Sequence, residues 1–255
     1  MTDQIVITQS DGIKSIRINR PDKKNALTMA MYAALADTLV RADEDPKTRV
    51  VLITGSGDSF TAGNDLNDFL DNPPTDLSSP VFRFMHAMVD FSKPVVAAVN
   101  GSAIGIGTTM LLHCDLAYAG TEARFQMPFV NLGLVPEFAS SLLLPQLLGN
   151  AKAAEILMLG DPFDGQTAAD LGLINGTFAS DKLESMVRTK ASLLATKPPE
   201  ALRQTKALLR ARPNAIKARI DAEAKAFGLR LQSPELNEAI AAFLEKRSPD
   251  FSQFD

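Results

Sequence analysis

Glu137 stands among apolar neighbours, Leu134, Val135, Phe138 and Ala139, within the segment FQMPFVNLGLVPEFASSLLLP (125–145). A carboxylate in such surroundings holds its proton more tightly than in water, which suits a general base near neutral pH. Pro128, Gly133 and Pro136 predict a loop, and a helix is predicted to start at Ser140. On composition alone Glu137 is equally a helix-end carboxylate favoured by the helix dipole. Two glycine-containing turns offer further chemistry. FTAGNDL (60–66) and NGSAIGIGTT (100–109) each place backbone N–H groups at the predicted start of a helix, where glycine permits close approach of a ligand. Two such groups aimed at one point stabilise an oxyanion. Either turn alone is also accounted for as a tight strand-to-helix connection that binds nothing. Gly105 and Gly107 do not complete a dinucleotide-binding fingerprint.

The remaining chemistry-bearing residues read as structural. His86 and His113 have no second ligand at metal-binding spacing, so no metal site is expected. Cys114, the only cysteine, reads as a small buried apolar residue.

The elements that must position these segments alternate between strand and helix. Ile5 and Ile7, then Ile16 and Ile18, alternate with polar residues around Asp11-Gly12, a hairpin signal. Thr28 is predicted to cap a helix with the stripe Leu27, Met31, Leu35, Leu39. VVLIT (50–54) and VVAAV (95–99) are wholly apolar and read as strands buried on both faces, and DLAYA (115–119) continues the series. Phe82, Met85, Met88 and Val89 form a helical stripe that reads as core or as the lining of an acyl pocket. The fold class is α/β, built from a recurring strand–turn–helix unit. From about residue 145 onward the chain is predicted to be almost entirely helical. The prolines of KPPEAL (197–202) mark a break between a core over 1–196 and a helical region over 197–255.

The chain has 255 residues and a net charge of -4 at pH 7, with no block dense in Lys and Arg, which argues against nucleic acid as a partner. No apolar run approaches the length of a membrane span, so no membrane partner is expected. MTDQIVITQS shows no signal peptide and SPDFSQFD no targeting address; the expected location is cytoplasmic.

Taken in order, INRPDKKNAL (18–27), FTAGNDL, KPVVAAVNGSAIGIG, CDLAYAGTEARF, FVNLGLVPE and the terminal FLEKRSPDF resemble the crotonase (enoyl-CoA hydratase/isomerase) superfamily over nearly the whole chain. That resemblance implies a ββα spiral core with a C-terminal α-helical trimerisation region. It also implies an acyl-CoA thioester as substrate, coenzyme A entering only as part of it, with no separate cofactor. A homotrimer, or two stacked trimers, is the implied assembly. The backbone N–H groups of Asn64 and Ile106 take the two oxyanion-hole positions, although glycine often stands where Ile106 does. Lys24, Ala26, Leu27, Ala62, Gly63, Asp65 and Leu66 match the family's substrate and CoA-binding positions. Lys23 reads instead as a solvated charge.

The resemblance also bears on the reaction. Family hydratases hold water between two glutamates, whose places are taken here by Thr109 and Phe129. With both acids missing, water addition is disfavoured. LGLVPEFASS is similar to the peroxisomal-type Δ3,Δ2-enoyl-CoA isomerase branch, in which a lone glutamate follows Leu-Gly by four residues, here Glu137. Phe138 departs from that pattern, which usually has a small residue. The expected activity is therefore movement of a 3-enoyl-CoA double bond to the 2-position. Another crotonase-type enzyme, a hydratase or a lyase, and a non-catalytic acyl-CoA-binding protein are the alternatives.

Overall fold

The computed structural model describes residues 4–74, 76–210 and 212–254, with backbone alone described for Leu70 and Phe243. Residues 1–3 of the N-terminal stretch and Asp255 of the terminal one lie outside the described residues.

Asp11 and Gly12 both adopt positive φ, 54° and 77°, the backbone of a two-residue hairpin turn. They join β1 (Ile5–Ser10) to β2 (Ile13–Ile18) in antiparallel register, Ser10 opposite Ile13. Thr28 then caps α1 (Met29–Glu44), its hydroxyl accepting from the Met31 N–H, and the predicted stripe is buried.

Next comes a unit that occurs three times. β3 (Val50–Gly55) and β4 (Ser59–Thr61) precede α2 (Leu66–Asp71) and α3 (Pro80–Asp90). β5 (Val95–Val99) and β6 (Ser102–Ile104) precede the single turn α4 (Ile106–Thr109). β7 (Leu116–Gly120) and β8 (Arg124–Gln126) precede α5 (Ser140–Leu148). The longer strand of each pair joins one sheet and the shorter joins another. The large sheet has the order β1-β2-β3-β5-β7, and the small sheet stacks β4, β6 and β8 in parallel. This is the ββα spiral that the resemblance implied.

The wholly apolar strands are explained by burial on both faces. Val51, Ile53, Val95, Ala97 and Val99 point into the main core with α1 and α3. Val50, Leu52, Val96 and Ala98 point the other way, against Leu183, Val187 and Ala191 of a later helix.

The second half is less purely helical than expected. After α6 (Asn150–Leu159), β9 (Phe163–Asp164) pairs antiparallel with β8, and Phe163 stacks on Phe125. α7 (Gly165–Asp170) leads to β10 (Gly176–Phe178), which adds a sixth, parallel strand beside β7. Strands of two and three residues are too short to display alternation, so nothing in the local pattern announces them.

The remaining helices are α8 (Leu183–Ala195), α9 (Pro199–Leu209), α10 (Pro213–Arg230) and α11 (Pro234–Glu245). α8 covers the outer face of the large sheet, and Thr196 is its C-cap. α10 packs against α3 and α5, and α11 against the loop before Glu137, where Gly133 (φ 67°) leaves room for the Leu236 N–H. No helix among the described residues is long and apolar enough to cross a membrane.

Candidate active site

Glu137 lies in the loop between β8 and α5 and is 6% exposed. Its position is held by a turn of uncommon geometry. Phe138 and Ala139 both adopt left-handed backbone, φ 58° and 57°. For residues with a Cβ this conformation is unfavourable, so other groups must hold it. The Glu137 carbonyl accepts from the Ser140 N–H and hydroxyl, at 3.1 and 2.7 Å. The Phe138 carbonyl accepts from His113 Nε2 at 2.8 Å, and the two rings stack at 3.9 Å. Because a carbonyl only accepts, Nε2 carries the proton. Burial pushes the His113 pKa down to about 3, so the ring is a neutral donor. The Ala139 N–H donates to Glu223 Oε2 of α10 at 2.6 Å.

The two oxygens of the Glu137 carboxyl differ. Oε1 accepts from the Thr109 hydroxyl at 2.5 Å. Oε2 is buried and has no hydrogen-bond partner among the described residues. Buried polar atoms are rarely left so, and such an atom is a place for a reacting group. Burial is the largest influence on its proton affinity. Opposed by the Thr109 hydroxyl and reinforced by the Glu223 carboxylate, it lifts the pKa from 4.5 to about 8. The side chain lines an inner cavity of about 10 Å³ with Asn64, Phe69, Phe82, Met85 and Phe227, among others, and is the only titratable group there among the described residues.

Asn64 joins this cavity to a larger groove of about 580 Å³. Asn64 forms a parallel bridge with Leu27, in which the Gly63 carbonyl and the Asp65 N–H are the bonded groups. The Asn64 N–H therefore faces away from Leu27, and it has no acceptor among the backbone hydrogen bonds. Ile106 is the first residue of α4, where an N–H has no partner within the helix, and none is supplied from outside among the described residues. Both residues line the groove.

A positive-φ glycine precedes each of them. Gly63 (φ 88°) passes so close to the Ile104 carbonyl that a Cβ would lie 2.9 Å from its oxygen. Gly105 has φ 55° and ψ -119°, a conformation reserved for glycine, although its Cβ position is open. The glycines of both turns thus aim the following N–H rather than merely shorten a connection.

Ala26, Ala62, Gly63, Asp65 and Leu66 line the groove with Asn64 and Ile106. Asp65 turns its carboxylate away to cap α2 and to pair with Arg20 at 2.5 Å, so the turn itself is firmly set. Two of the expected positions are placed elsewhere. Leu27 is in the core and contributes only its backbone bridge, because its side chain belongs to the α1 stripe. Lys24 has left-handed backbone and pairs with Asp58 at 2.7 Å in solvent. Lys23 is the cation that lines the groove.

Phe129 also lines the groove, whereas Thr109 is fully buried as the partner of Glu137. No cluster of His, Cys, Asp and Glu able to hold a metal occurs among the described residues. Sequence reasoning passed over Tyr32 and Glu223. Tyr32 is fully buried and donates its hydroxyl to Asn64 Oδ1; burial, then the Glu137 charge, push its pKa up. A tyrosine beside Met31 of the predicted apolar stripe was the signal available for it.

The family model described as enoyl-CoA hydratase/isomerase matches residues 8–254. Enoyl-CoA delta isomerase 2 of Homo sapiens is 35% identical over 254 residues, which are 96% of this chain; the chain spans only 64% of that protein's length. The 1,2-epoxyphenylacetyl-CoA isomerase of Escherichia coli K12 is 35% identical, with 99% of each chain covered. Among solved structures, OdaA of Pseudomonas aeruginosa is 48% identical, with a TM-score of 0.93 over 95% of this chain and 99% of its own.

Proposed function

We propose that this chain, which belongs to the enoyl-CoA hydratase/isomerase family, moves the double bond of a 3-enoyl-CoA to the 2-position with Glu137 as its single base. The observation that carries the reading is the Glu137 carboxyl itself: one oxygen held by Thr109, the other unpartnered, in an inner cavity with no other titratable group among the described residues. Hydration requires an acid and a base flanking water. Thr109 and Phe129 stand where the family's hydratases carry their two glutamates.

The chemistry follows from the geometry. A thioester carbonyl between the Asn64 and Ile106 N–H groups has its developing negative charge stabilised, and the C2 proton becomes acidic. Glu137 Oε2 takes that proton, giving a dienolate delocalised from the thioester oxygen to C4. The same carboxyl returns the proton at C4, and the double bond is left in conjugation with the thioester. Atoms and charge balance without water, and the reaction draws on no metal or redox group. The CoA portion lies along the groove, with Lys23 in reach of its anionic part. The protein acts as a trimer or a pair of stacked trimers, for which the exposed Leu208, Leu209 and Leu229 offer apolar surface; sedimentation as a monomer would contradict that.

A substrate panel tests the reading. 3-Enoyl-CoA is expected to be converted to 2-enoyl-CoA, read at the ultraviolet band of the conjugated thioester, while 2-enoyl-CoA is not hydrated. Hydration of 2-enoyl-CoA at a comparable rate would replace the isomerase reading with a hydratase one. Acyl-CoA binding without turnover of any substrate would leave a binding protein.

The pH dependence is a second expectation. The base must be ionised, so kcat/KM should rise with pH through a midpoint near 8. In Thr109→Val the ionised carboxylate loses a hydrogen bond, which raises its pKa further. The midpoint should move up by about one unit, with about tenfold lower activity at pH 7. A midpoint unmoved in that variant would remove Thr109 from the account.

A further inference from the structure

Glu223 is a second buried carboxylate beside the site, and it does not line the inner cavity. Its oxygens are fully engaged. Oε2 accepts from the Ala139 N–H at 2.6 Å, and Oε1 accepts from the Ser141 N–H at 3.1 Å and the Ser141 hydroxyl at 2.5 Å. Two of these three partners are backbone N–H groups, which can only donate, an arrangement that favours the ionised form. We propose that Glu223 is a positioning residue for Glu137: from α10 it holds the left-handed Phe138–Ala139 turn that directs the Glu137 carboxyl, and it sets the charge which that carboxyl faces. The inference rests on the reading of Glu137 as the base.

A simple helix-capping role does not explain this choice of residue. α5 needs its first N–H groups satisfied, and a Ser, Thr or Asp at the N-cap would do that locally. The N-cap is instead Ala139, with no capping side chain of its own, and the acceptor comes from 84 positions away. Burying one carboxylate next to another is costly, because both are desolvated and their charges repel. What the arrangement supplies, and a local cap would not, is a negative charge behind the base. That charge helps to hold the proton affinity of Glu137 up, and burial holds that of Glu223 up against its three donors.

The charged and titratable groups facing the pair come from several elements. Arg219, one turn earlier on α10, approaches the Ser141 hydroxyl at 3.4 Å and partly offsets the Glu223 charge. Tyr32 of α1 faces Glu137, and its raised pKa keeps it neutral. His113, below the turn, is neutral as well. Glu223 is therefore the carboxylate whose removal relieves Glu137.

The test compares Glu223→Gln with Glu223→Asp in the 3-enoyl-CoA assay across pH. The amide keeps shape and one acceptor oxygen but removes the charge. The midpoint of kcat/KM is expected to fall by roughly half to one pH unit, with KM held within about twofold. Aspartate keeps the charge but is one methylene too short to reach the turn. Its midpoint is expected to stay near that of the parent, while kcat falls about tenfold as the base loses its alignment. Wild-type midpoint in the Gln variant, or wild-type kcat in the Asp variant, would overturn the proposal. So would one uniform loss of activity at every pH in both, the mark of a stability role. Should the Gln variant fail to fold, as read by circular dichroism, the Asp variant decides alone. Glu137→Gln in the same assay separates the two readings. If it is inactive while the Glu223 variants behave as wild type, only the positioning role fails; if it is active, the base assignment fails first.

Discussion

Glu137→Gln is expected to lower kcat for 3-enoyl-CoA isomerisation by roughly 10³-fold or more while acyl-CoA binding changes only a few-fold. The two effects separate because the groove is lined by the Ala62–Leu66 turn, Ile106 and residues of α10 and α11, whereas Glu137 sits in the inner cavity beyond Asn64. Glutamine keeps an oxygen for the Thr109 hydroxyl and fills the same space, so the site should survive. The same substitution should also change stability, with a sign fixed by linkage. The folded-state pKa of Glu137 lies near 8, above its ordinary 4.5. Its protonated form therefore contributes stability that is fully present below about pH 4.5 and is lost as pH rises through about 8. Glutamine cannot ionise and suffers no such loss. The variant should thus melt at a higher temperature than the parent at pH 9, by at least about 2 °C, and the gap should close towards pH 5. Retained activity, or a lower melting temperature at pH 9, would contradict the account of this residue.

Gly105→Ala is expected to cost about 3 kcal/mol of transition-state stabilisation, a loss of about 10²–10³ in kcat. The nearest atom to the added methyl is Phe129 Cε1 at 3.9 Å, so packing is not the reason. Alanine does not adopt φ 55°, ψ -119°; the peptide must rotate, and the Ile106 N–H turns away from the groove. Gly63→Ala should have a loss of similar size for Asn64, compounded by the Ile104 carbonyl 2.9 Å from the new Cβ. Folded Gly105→Ala protein with undiminished kcat would show that the Ile106 N–H does not serve as an oxyanion donor.

The parts of this site that could be read from sequence are those carried by local pattern. VVLIT and VVAAV have no polar residue in the buried run until Thr54, because each faces apolar layers on both sides. Asp11-Gly12 specifies its turn by backbone preference alone. The two glycine turns and Glu137 were visible as residue types in order. What stayed hidden depends on contacts distant in the chain. Lys23 and Lys24 are indistinguishable as neighbours in sequence, yet the left-handed backbone at Lys24 sends one to Asp58 and leaves the other at the groove. Thr109 was legible as a missing acid but not as the hydroxyl that holds the base. Glu223 looks like any charge on a polar helix until α10 folds back onto the turn after Glu137. The three-residue strands of the small sheet and β10 are too short for periodicity to register.

The most direct measurement follows the proton. 3-Enoyl-CoA carrying deuterium at both C2 positions is converted in ordinary water, and the 2-enoyl-CoA product is examined by nuclear magnetic resonance. A single buried carboxyl that takes the proton from C2 and returns it at C4 predicts deuterium at C4 in a substantial fraction of the product, with no 3-hydroxyacyl-CoA formed. Only solvent hydrogen at C4, or a 3-hydroxyacyl-CoA product, would contradict Glu137 as the lone base.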